Sequence, residues 1–384
     1  MKYIFFDLFL IIILVVLKLS DTFQLIDTLN QYSSVYCVSN VKIYGSTFVI
    51  DYLASAGAGG FLNVWDVKTS KLKYKFDKTK GGHLSNIYSL AILENGLLAS
   101  GSSDSTIKIW DISSGNLKFT FNSSNGGHSG NVYSLALLEN GLLASGSSDS
   151  AIKIWDITNY KLKHTFEKSN GGHSGNVHVL VLLENGFLAS GSSDSTIKIW
   201  DVSAGKVKFT FSASNGGHSG YVYSLLSLDN GFLASGSEDA TIKLWDITSG
   251  KLKYTFDRSK GGHSGKVFSL VSLENGFFAS GSSDSTIKIW DITGSGILKF
   301  TFDSTNGGHS GNVYSLALLE NGLLASGSSD STLKIWDISI GKLKYTFDKS
   351  NGGHSSNVYS LTSVDNNYFA SGSYDGTLKL WNII

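Results

Sequence analysis

Residues 96–111, GLLASGSSDSTIKIWD, decide the fold of this 384-residue chain, because near copies of the segment recur along most of its length. Each copy has an apolar run, a Ser/Gly-rich turn and a second apolar run that ends in tryptophan. All eight tryptophans of the chain occupy this one position, and they follow one another in steps of 45 residues, with a single step of 46. They are Trp65, Trp110, Trp155, Trp200, Trp245, Trp290, Trp336 and Trp381. So strict a period indicates one structural unit stacked many times.

Within a unit the sequence has the pattern of short β-strands. NVYSLALL (131–138) is rich in β-forming residues and is followed by the turn sequence ENG, LLASGS (142–147) and the turn SD. AIKIWD (151–156) and KLKHTF (161–166) complete the unit. Lysines on the last run suit an exposed outer strand, because charge there discourages pairing with other chains. Four strands and no helix per unit exclude α-solenoids and βαβ folds.

Composition excludes several classes of function. Formal net charge is zero, with 31 basic and 31 acidic residues, and Arg258 is the only arginine, so we expect no nucleic-acid partner. Cys37 is the only cysteine, which rules out an intrachain disulfide and a cysteine-based zinc site. Histidines and aspartates that recur once per unit do not converge on a metal, and the Gly-Gly pairs do not open a helix as phosphate-binding loops do. We therefore expect no cofactor and no metal.

Two further motifs carry a family resemblance. A Gly-Gly-His triplet lies 27 residues before the tryptophan in seven units, and an aspartate lies six residues before it. With the Trp-Asp pair, these motifs resemble the WD40 repeat across residues 22–384. The resemblance implies an all-β fold, a β-propeller of four-stranded antiparallel blades.

Eight units predict eight blades, with a seven-bladed ring and one unit left over as the alternative. The last unit stops directly after its third strand, and residues 23–29 resemble a fourth strand. We therefore expect the N-terminal strand to complete the C-terminal blade and close a monomeric ring. The first unit is degenerate, because Tyr32 stands in place of the histidine, Gly59 replaces the aspartate and residues 40–51 lengthen its first hairpin. Such a blade is either looser than the others or carries a specialised loop.

The resemblance also implies a structural role for the repeated polar residues. A histidine, serine, aspartate and tryptophan form a hydrogen-bonded tetrad in each full WD40 blade, and a linked set satisfies every buried polar group at once. The alternative, a hydrolase-like Ser-His-Asp triad, would require seven copies of one active site. The predicted tetrads are His83, Ser100, Asp104 and Trp110; His128, Ser145, Asp149 and Trp155; His173, Ser190, Asp194 and Trp200; His218, Ser235, Asp239 and Trp245; His263, Ser280, Asp284 and Trp290; His309, Ser326, Asp330 and Trp336; His354, Ser371, Asp375 and Trp381.

The resemblance implies that protein partners dock on the face formed by the loop before the first strand and the turn between the second and third strands. Most units have Asn and Ser there, and the departures are Tyr221, Glu238, Lys266 and Tyr374. Aromatic and charged residues on a Ser/Asn surface are the better candidates for partner binding, and the alternative is neutral variation in a duplicated array. Inner strands with almost no titratable residues argue against an enzyme, so we predict a non-enzymatic scaffold of unidentified partners.

Residues 1–20 form a hydrophobic leader ahead of the predicted propeller domain, residues 21–384. Residues 3–17 are apolar except for Asp7, with Lys2 before them and Lys18 after them. This length suits a signal peptide better than a full membrane span, although Lys18 leaves no small-residue cleavage site. Three alternatives stay open: a cleaved signal, a membrane tether through residues 3–19, or an extension of a cytoplasmic protein. The first two would make the chain an extracellular, lumenal or membrane-tethered ligand-binding propeller.

Overall fold

The computed structural model describes residues 23–31, 33–44, 49–319, 322–364 and 368–383. They form eight four-stranded antiparallel sheets arranged as the blades of a ring, so the predicted eight-bladed propeller is confirmed and the seven-bladed alternative is wrong. The predicted leader, residues 1–20, lies outside the described residues.

The strands of each blade are given from the innermost strand outward. Blade 1 contains Val35–Tyr44 (β2), Val49–Gly57 (β3), Leu62–Asp66 (β4) and Lys71–Phe76 (β5); blade 2 contains Ile87–Ile92 (β6), Leu97–Ser102 (β7), Ile107–Asp111 (β8) and Asn116–Phe121 (β9); blade 3 contains Val132–Leu137 (β10), Leu142–Ser147 (β11), Ile152–Asp156 (β12) and Lys161–Phe166 (β13); blade 4 contains Val177–Leu182 (β14), Leu188–Ser192 (β15), Ile197–Asp201 (β16) and Lys206–Phe211 (β17); blade 5 contains Val222–Leu228 (β18), Phe232–Ser237 (β19), Ile242–Asp246 (β20) and Lys251–Phe256 (β21); blade 6 contains Val267–Leu273 (β22), Phe277–Ser282 (β23), Ile287–Asp291 (β24) and Ile297–Phe302 (β25); blade 7 contains Val313–Leu318 (β26), Leu323–Ser328 (β27), Leu333–Asp337 (β28) and Lys342–Phe347 (β29); blade 8 contains Val358–Val364 (β30), Tyr368–Ser373 (β31), Thr377–Ile383 (β32) and Phe23–Asn30 (β1).

Short 3₁₀ turns lie in the connections between strands. Seven of those described precede an innermost strand, and the others lie within the hairpins of blades 1, 2, 5 and 6. Their bounds are Lys78–Lys80, Ser123–Asn125, Lys168–Asn170, Ala213–Asn215, Arg258–Lys260, Ser304–Asn306 and Lys349–Asn351, then Ala58–Gly60, Glu94–Gly96, Asp229–Gly231 and Glu274–Gly276.

The ring closes through β1, as the sequence predicts. Strand β1 pairs antiparallel with β32 and so becomes the outer strand of blade 8. Lys379 Nζ donates to Thr28 Oγ1 at 3.1 Å, the bond that Lys108 makes to Thr120 within blade 2. Leu29 is buried in a cluster that also contains Trp65 of blade 1. The chain ends are thereby joined by a ladder of hydrogen bonds and by apolar contacts to the neighbouring blade.

The core lies between blades rather than within them. In blades 2 to 8 the tryptophan packs on the last phenylalanine of the preceding blade, as Trp155 does on Phe121 with ring centroids 4.3 Å apart. Trp65 of blade 1 instead lies in one cluster with Leu29 of blade 8. Gly146 allows the blades to approach closely, because a Cβ there would lie 2.6 Å from Val177 Cγ1 of the next blade. Since each blade buries its apolar face only against its neighbours, a closed ring leaves no blade with an uncovered face.

Candidate functional site

The structure brings the four side chains of each predicted tetrad together in blades 2 to 8. In blade 3, Trp155 Nε1 donates to Ser145 Oγ at 2.8 Å, Ser145 Oγ lies 2.7 Å from His128 Nε2, and His128 Nδ1 lies 2.9 Å from Asp149 Oδ2. The indole, hydroxyl and imidazole are buried, while the carboxylate retains some solvent contact. Each group donates to the next, so the chain of hydrogen bonds ends on the aspartate.

Burial and hydrogen bonding shift the pKa values of most tetrad residues. Burial lowers the pKa of His83 in spite of the neighbouring Asp104, which leaves the imidazole neutral near pH 7. The same direction holds for five other tetrad histidines: His173, His218, His263, His309 and His354. Burial opposes ionisation of Asp149 as well, but the hydrogen bonds from His128 and two backbone N–H groups outweigh it and lower the pKa of Asp149 to about 2. In blade 2, where the pKa values of His83 and Asp104 are both lowered, a neutral histidine therefore donates from Nδ1 to an ionised aspartate.

Blade 3 differs from the other full blades at one position. Thr106 Oγ1 in blade 2 donates to Asp104 Oδ1 at 2.6 Å and lies 3.1 Å from His83 Nδ1. The equivalent residue of blade 3 is Ala151, whose backbone N–H donates to Asp149 but whose side chain has no hydroxyl. The tetrad of blade 3 therefore lacks one hydrogen-bond donor that the other six have.

In blade 1 a glutamine takes the place of the tetrad histidine, a substitution that the sequence analysis missed. Trp65 Nε1 donates to Ser55 Oγ at 2.9 Å, and Ser55 Oγ donates to Gln31 Oε1 at 2.5 Å. The amide of Gln31 therefore takes the position that histidine holds elsewhere. The sequence alignment assigned that position to Tyr32, which lies outside the described residues. Gln31 N also donates to Gly376 O of blade 8 at 2.9 Å, so this residue links the two blades that close the ring.

Of the four candidate partner-binding residues, the structure brings three together. The turn residue Glu238 donates its backbone N–H to Tyr221 O within blade 5, and its carboxylate accepts from Lys266 Nζ of blade 6. Tyr221 is 44% exposed. We name Tyr221, Glu238 and Lys266 the blade 5/6 patch. The fourth candidate, Tyr374, is 54% exposed but lies in blade 8, with its ring 6.3 Å from that of Tyr359.

A second feature was also missed: a closed ring of eight aromatic side chains, one from the innermost strand of each blade. Neighbouring ring centroids are 5.1–6.1 Å apart all the way around. We name these side chains the aromatic ring; its members are Tyr36, Tyr88, Tyr133, His178, Tyr223, Phe268, Tyr314 and Tyr359. The signal in the sequence is the aromatic residue that follows the first valine or isoleucine of every unit.

The fold and these sites define a class: a propeller of WD-type blades with buried polar tetrads. We name the face formed by the loops before the innermost strands and the turns between the second and third strands the tetrad side of the disc, and the variable residues lie there. The WD40 family (WD domain, G-beta repeat) matches residues 74–111, 115–156, 160–201, 205–246, 250–291, 299–337 and 341–382. These segments make up more than half of the chain, so the chain belongs to the WD40 family. WD40 propellers generally act as non-catalytic scaffolds that bind protein partners.

The chain is also similar to solved structures. The crystal structure of the computationally designed Ika8 protein superposes with a TM-score of 0.75 at 29% identity, over 92% of this chain and 98% of that one. Among curated proteins, no significant match is found.

In the part of the chain that the structure describes, no three histidine, cysteine, aspartate or glutamate side chains are grouped so that they could hold a metal ion. Within those same ranges, no helix has the length and apolar character needed to cross a bilayer.

Proposed function

We propose that this protein is a non-enzymatic scaffold that holds protein partners on the tetrad side of the disc, with the blade 5/6 patch as its main contact. One observation carries the proposal. Three of the four departures from the Ser/Asn pattern, Tyr221, Glu238 and Lys266, come from two adjacent blades and meet in space. Exposed aromatic residues anchored beside charged groups are the residue types that contribute most to binding at protein interfaces.

Burial of the tetrads supports a non-enzymatic role. The Ser145, His128 and Asp149 contacts have the distances of a Ser-His-Asp triad, but the Ser145 hydroxyl is fully buried and already accepts a hydrogen bond from Trp155. A substrate carbonyl could not reach that oxygen, since a nucleophile must lie within about 3 Å of the atom it attacks. The same burial applies in the other six full blades.

The test compares the intact protein with a variant in which the patch is returned to the residues of other blades. Tyr221→Asn, Glu238→Ser and Lys266→Asn together should remove partners from a proximity-labelling list while the melting temperature stays unchanged. Ile340→Ser serves as the control, because it removes an exposed apolar side chain from the turn between β28 and β29 of blade 7, away from the patch. Equal partner lists for the intact protein and the triple variant would refute the patch.

A second proposal concerns location and rests on the leader. The apolar run at residues 3–17 behind Lys2 favours entry into the secretory route, which would make the propeller an extracellular, lumenal or membrane-tethered binder. Sequencing the mature N-terminus of a tagged chain tests this. Processing near residue 20 supports a cleaved signal, and an intact N-terminus in a membrane fraction supports a tether. An intact N-terminus in the cytosolic fraction contradicts both.

A further inference from the structure

The aromatic ring encloses the axis of the disc. Every innermost strand has a β-bulge at its aromatic residue: the pairing of β10 with β11, for example, shifts register between Val132 and Ser134, so Tyr133 has no partner in the ladder. Val132 is buried between blades, whereas Tyr133 contacts its equivalents Tyr88 and His178 in both neighbouring blades. Bulges redirect side chains in this way, and here they repeat in all eight blades.

The ring lies toward the tetrad side of the disc. Asn131 Nδ2 donates to the Tyr133 hydroxyl at 3.2 Å, and Asn312 and Asn357 make the equivalent bonds to Tyr314 and Tyr359. These asparagines belong to the loops that form the tetrad side. The tyrosine hydroxyls therefore lie at the entrance of the central channel on the proposed docking face.

The size of the ring determines what it can bind. Eight neighbours at the observed spacing place each centroid about 7 Å from the axis. A cation attracted to an aromatic face must lie within about 6 Å of the centroid. A ligand cation on the axis would be too far from every ring, so a cation bound here has to lie against one arc.

One arc of the aromatic ring, formed by His178, Tyr223 and Phe268, has additional neighbours suited to binding a cation. In blades 4 to 6, Tyr221 adds a further aromatic side chain, with its centroid 6.1 Å from that of His178 and 6.3 Å from that of Tyr223. The Glu238 carboxylate lies beside these rings. Lys266 Nζ already occupies the arc, since it lies 5.9 Å from the centroid of Tyr223 and donates to Glu238. The chain therefore places one of its own ammonium groups where aromatic rings meet a carboxylate.

The same arc lacks a bond that stabilises other junctions between blades. A serine on the innermost strand of one blade accepts a backbone N–H from the next, as Ser134 Oγ does from Leu180 at 3.0 Å and Ser315 Oγ from Leu361 at 3.1 Å. Blade 4 has Val179 at this position. Blade 5 has Ser224, whose buried hydroxyl has no hydrogen-bond partner among the described residues. Functional sites are where residues are expected to depart from a stabilising pattern such as this serine bond.

We propose that this arc binds the cationic group of a lysine or arginine side chain on a protein partner, and that Lys266 occupies the site until the partner displaces it. The proposal rests on the scaffold function above and names the chemistry of its partner. An incoming cation stacks against Tyr221 and Tyr223 and takes over the Glu238 carboxylate. Lys266 thus acts as an internal competitor for Glu238.

The experiment titrates the full chain with a capped Gly-Gly-Lys-Gly-Gly peptide, followed by NMR or calorimetry. The matched probe carries norleucine in place of lysine, which retains the alkyl chain without the charge. Lys266→Asn, the residue of five other blades, should tighten binding of the lysine peptide about two- to fivefold, because the Glu238 carboxylate is then free of its internal competitor. Glu238→Ser and Tyr221→Asn should each weaken it at least threefold. Arg258→Ser, which removes an exposed cation outside the arc, should change it less than twofold.

Two results would overturn the inference: equal affinity for the lysine and norleucine peptides, or a Lys266→Asn variant that binds the lysine peptide no more tightly than the intact protein. Melting temperatures show that each variant is folded. Failure here is distinct from failure of the scaffold function. If the triple patch variant loses partners while no form binds the lysine peptide, the docking face stands and its preference for a cation is wrong. If the peptide behaves as expected while the partner lists are equal, the arc binds cations but does not recruit partners.

Discussion

Replacement of Asp149 by alanine should destabilise the protein by about 3 kcal/mol. The carboxylate accepts three hydrogen bonds: from His128 Nδ1, from the Ser129 backbone N–H and from the Ala151 backbone N–H, each at 2.9 Å. The imidazole of His128 is buried, so its N–H would be left without a partner at a cost of about 1–3 kcal/mol. Ser129 is exposed and can bond to water instead. Ala151 is buried, so its lost bond adds about 1 kcal/mol.

The assay is urea unfolding followed by tryptophan fluorescence. Each blade contains one tryptophan at an equivalent position, so a single signal reports on the whole ring. The midpoint should fall while the slope stays constant, because the surface exposed on unfolding does not change. Asp149→Asn is the control: it retains one oxygen as an acceptor and should fall between the intact protein and Asp149→Ala. An Asp149→Ala variant with an unchanged midpoint would show that the tetrad does not hold the blade together.

Three further predictions follow from the same contacts. Ala151→Thr supplies the hydroxyl that Thr106 provides in blade 2, so it should raise the unfolding free energy by about 1 kcal/mol in the same urea assay; a fall would show that the pocket does not accept it. Leu29→Ala should lower the unfolding free energy by about 2–4 kcal/mol, because it leaves a cavity against Trp65 where β1 closes the ring. The control Ile26→Ala, on the exposed side of β1, should lower it by less than about 1 kcal/mol. Equal losses would contradict the closure. Stability should decline as pH falls below about 6.5, where the unfolded chain protonates histidines whose folded pKa is lowered. It should decline again from about pH 4 to pH 2, where the unfolded chain protonates aspartates that stay ionised in the folded tetrads because their folded pKa is lowered. Melting temperatures measured from pH 7 to pH 2 test both steps, and a flat profile would refute the assigned protonation.

Most of the fold could be predicted because one spacing repeats with almost no error. The spacing of the eight tryptophans gives the number of units, and the resemblance of residues 23–29 to an outer strand predicts the pairing that completes blade 8. Each blade interacts mainly with its neighbours, so an accurate picture of one unit extends to all of them.

Two features escaped the sequence analysis for different reasons. Gln31 was missed because the chain enters blade 1 directly from blade 8 without the Gly-Gly connection, so an alignment by position assigned the histidine role one residue too far along. The aromatic ring was missed because its members are 45 or more residues apart, and a tyrosine in a strand pattern indicates only a strand. Only the bulges and the circular arrangement bring Tyr88, Tyr133 and His178 into contact.

The distribution of bonds between blades links stability with recognition. The junctions of blade 3 with blade 4 and of blade 7 with blade 8 each have a serine hydroxyl that accepts the next backbone N–H, a bond that contributes about 1 kcal/mol. Among the described residues, three junctions lack this bond: that of blade 1 with blade 2, where Cys37 stands in place of the serine, and the two on either side of blade 5. The two junctions beside blade 5 carry the blade 5/6 patch. A ring of identical blades would offer the same surface many times over and could not orient a partner. The blade 5/6 patch gives the disc one distinguishable arc, at a loss of stability that the remaining junctions and the closure by β1 can sustain.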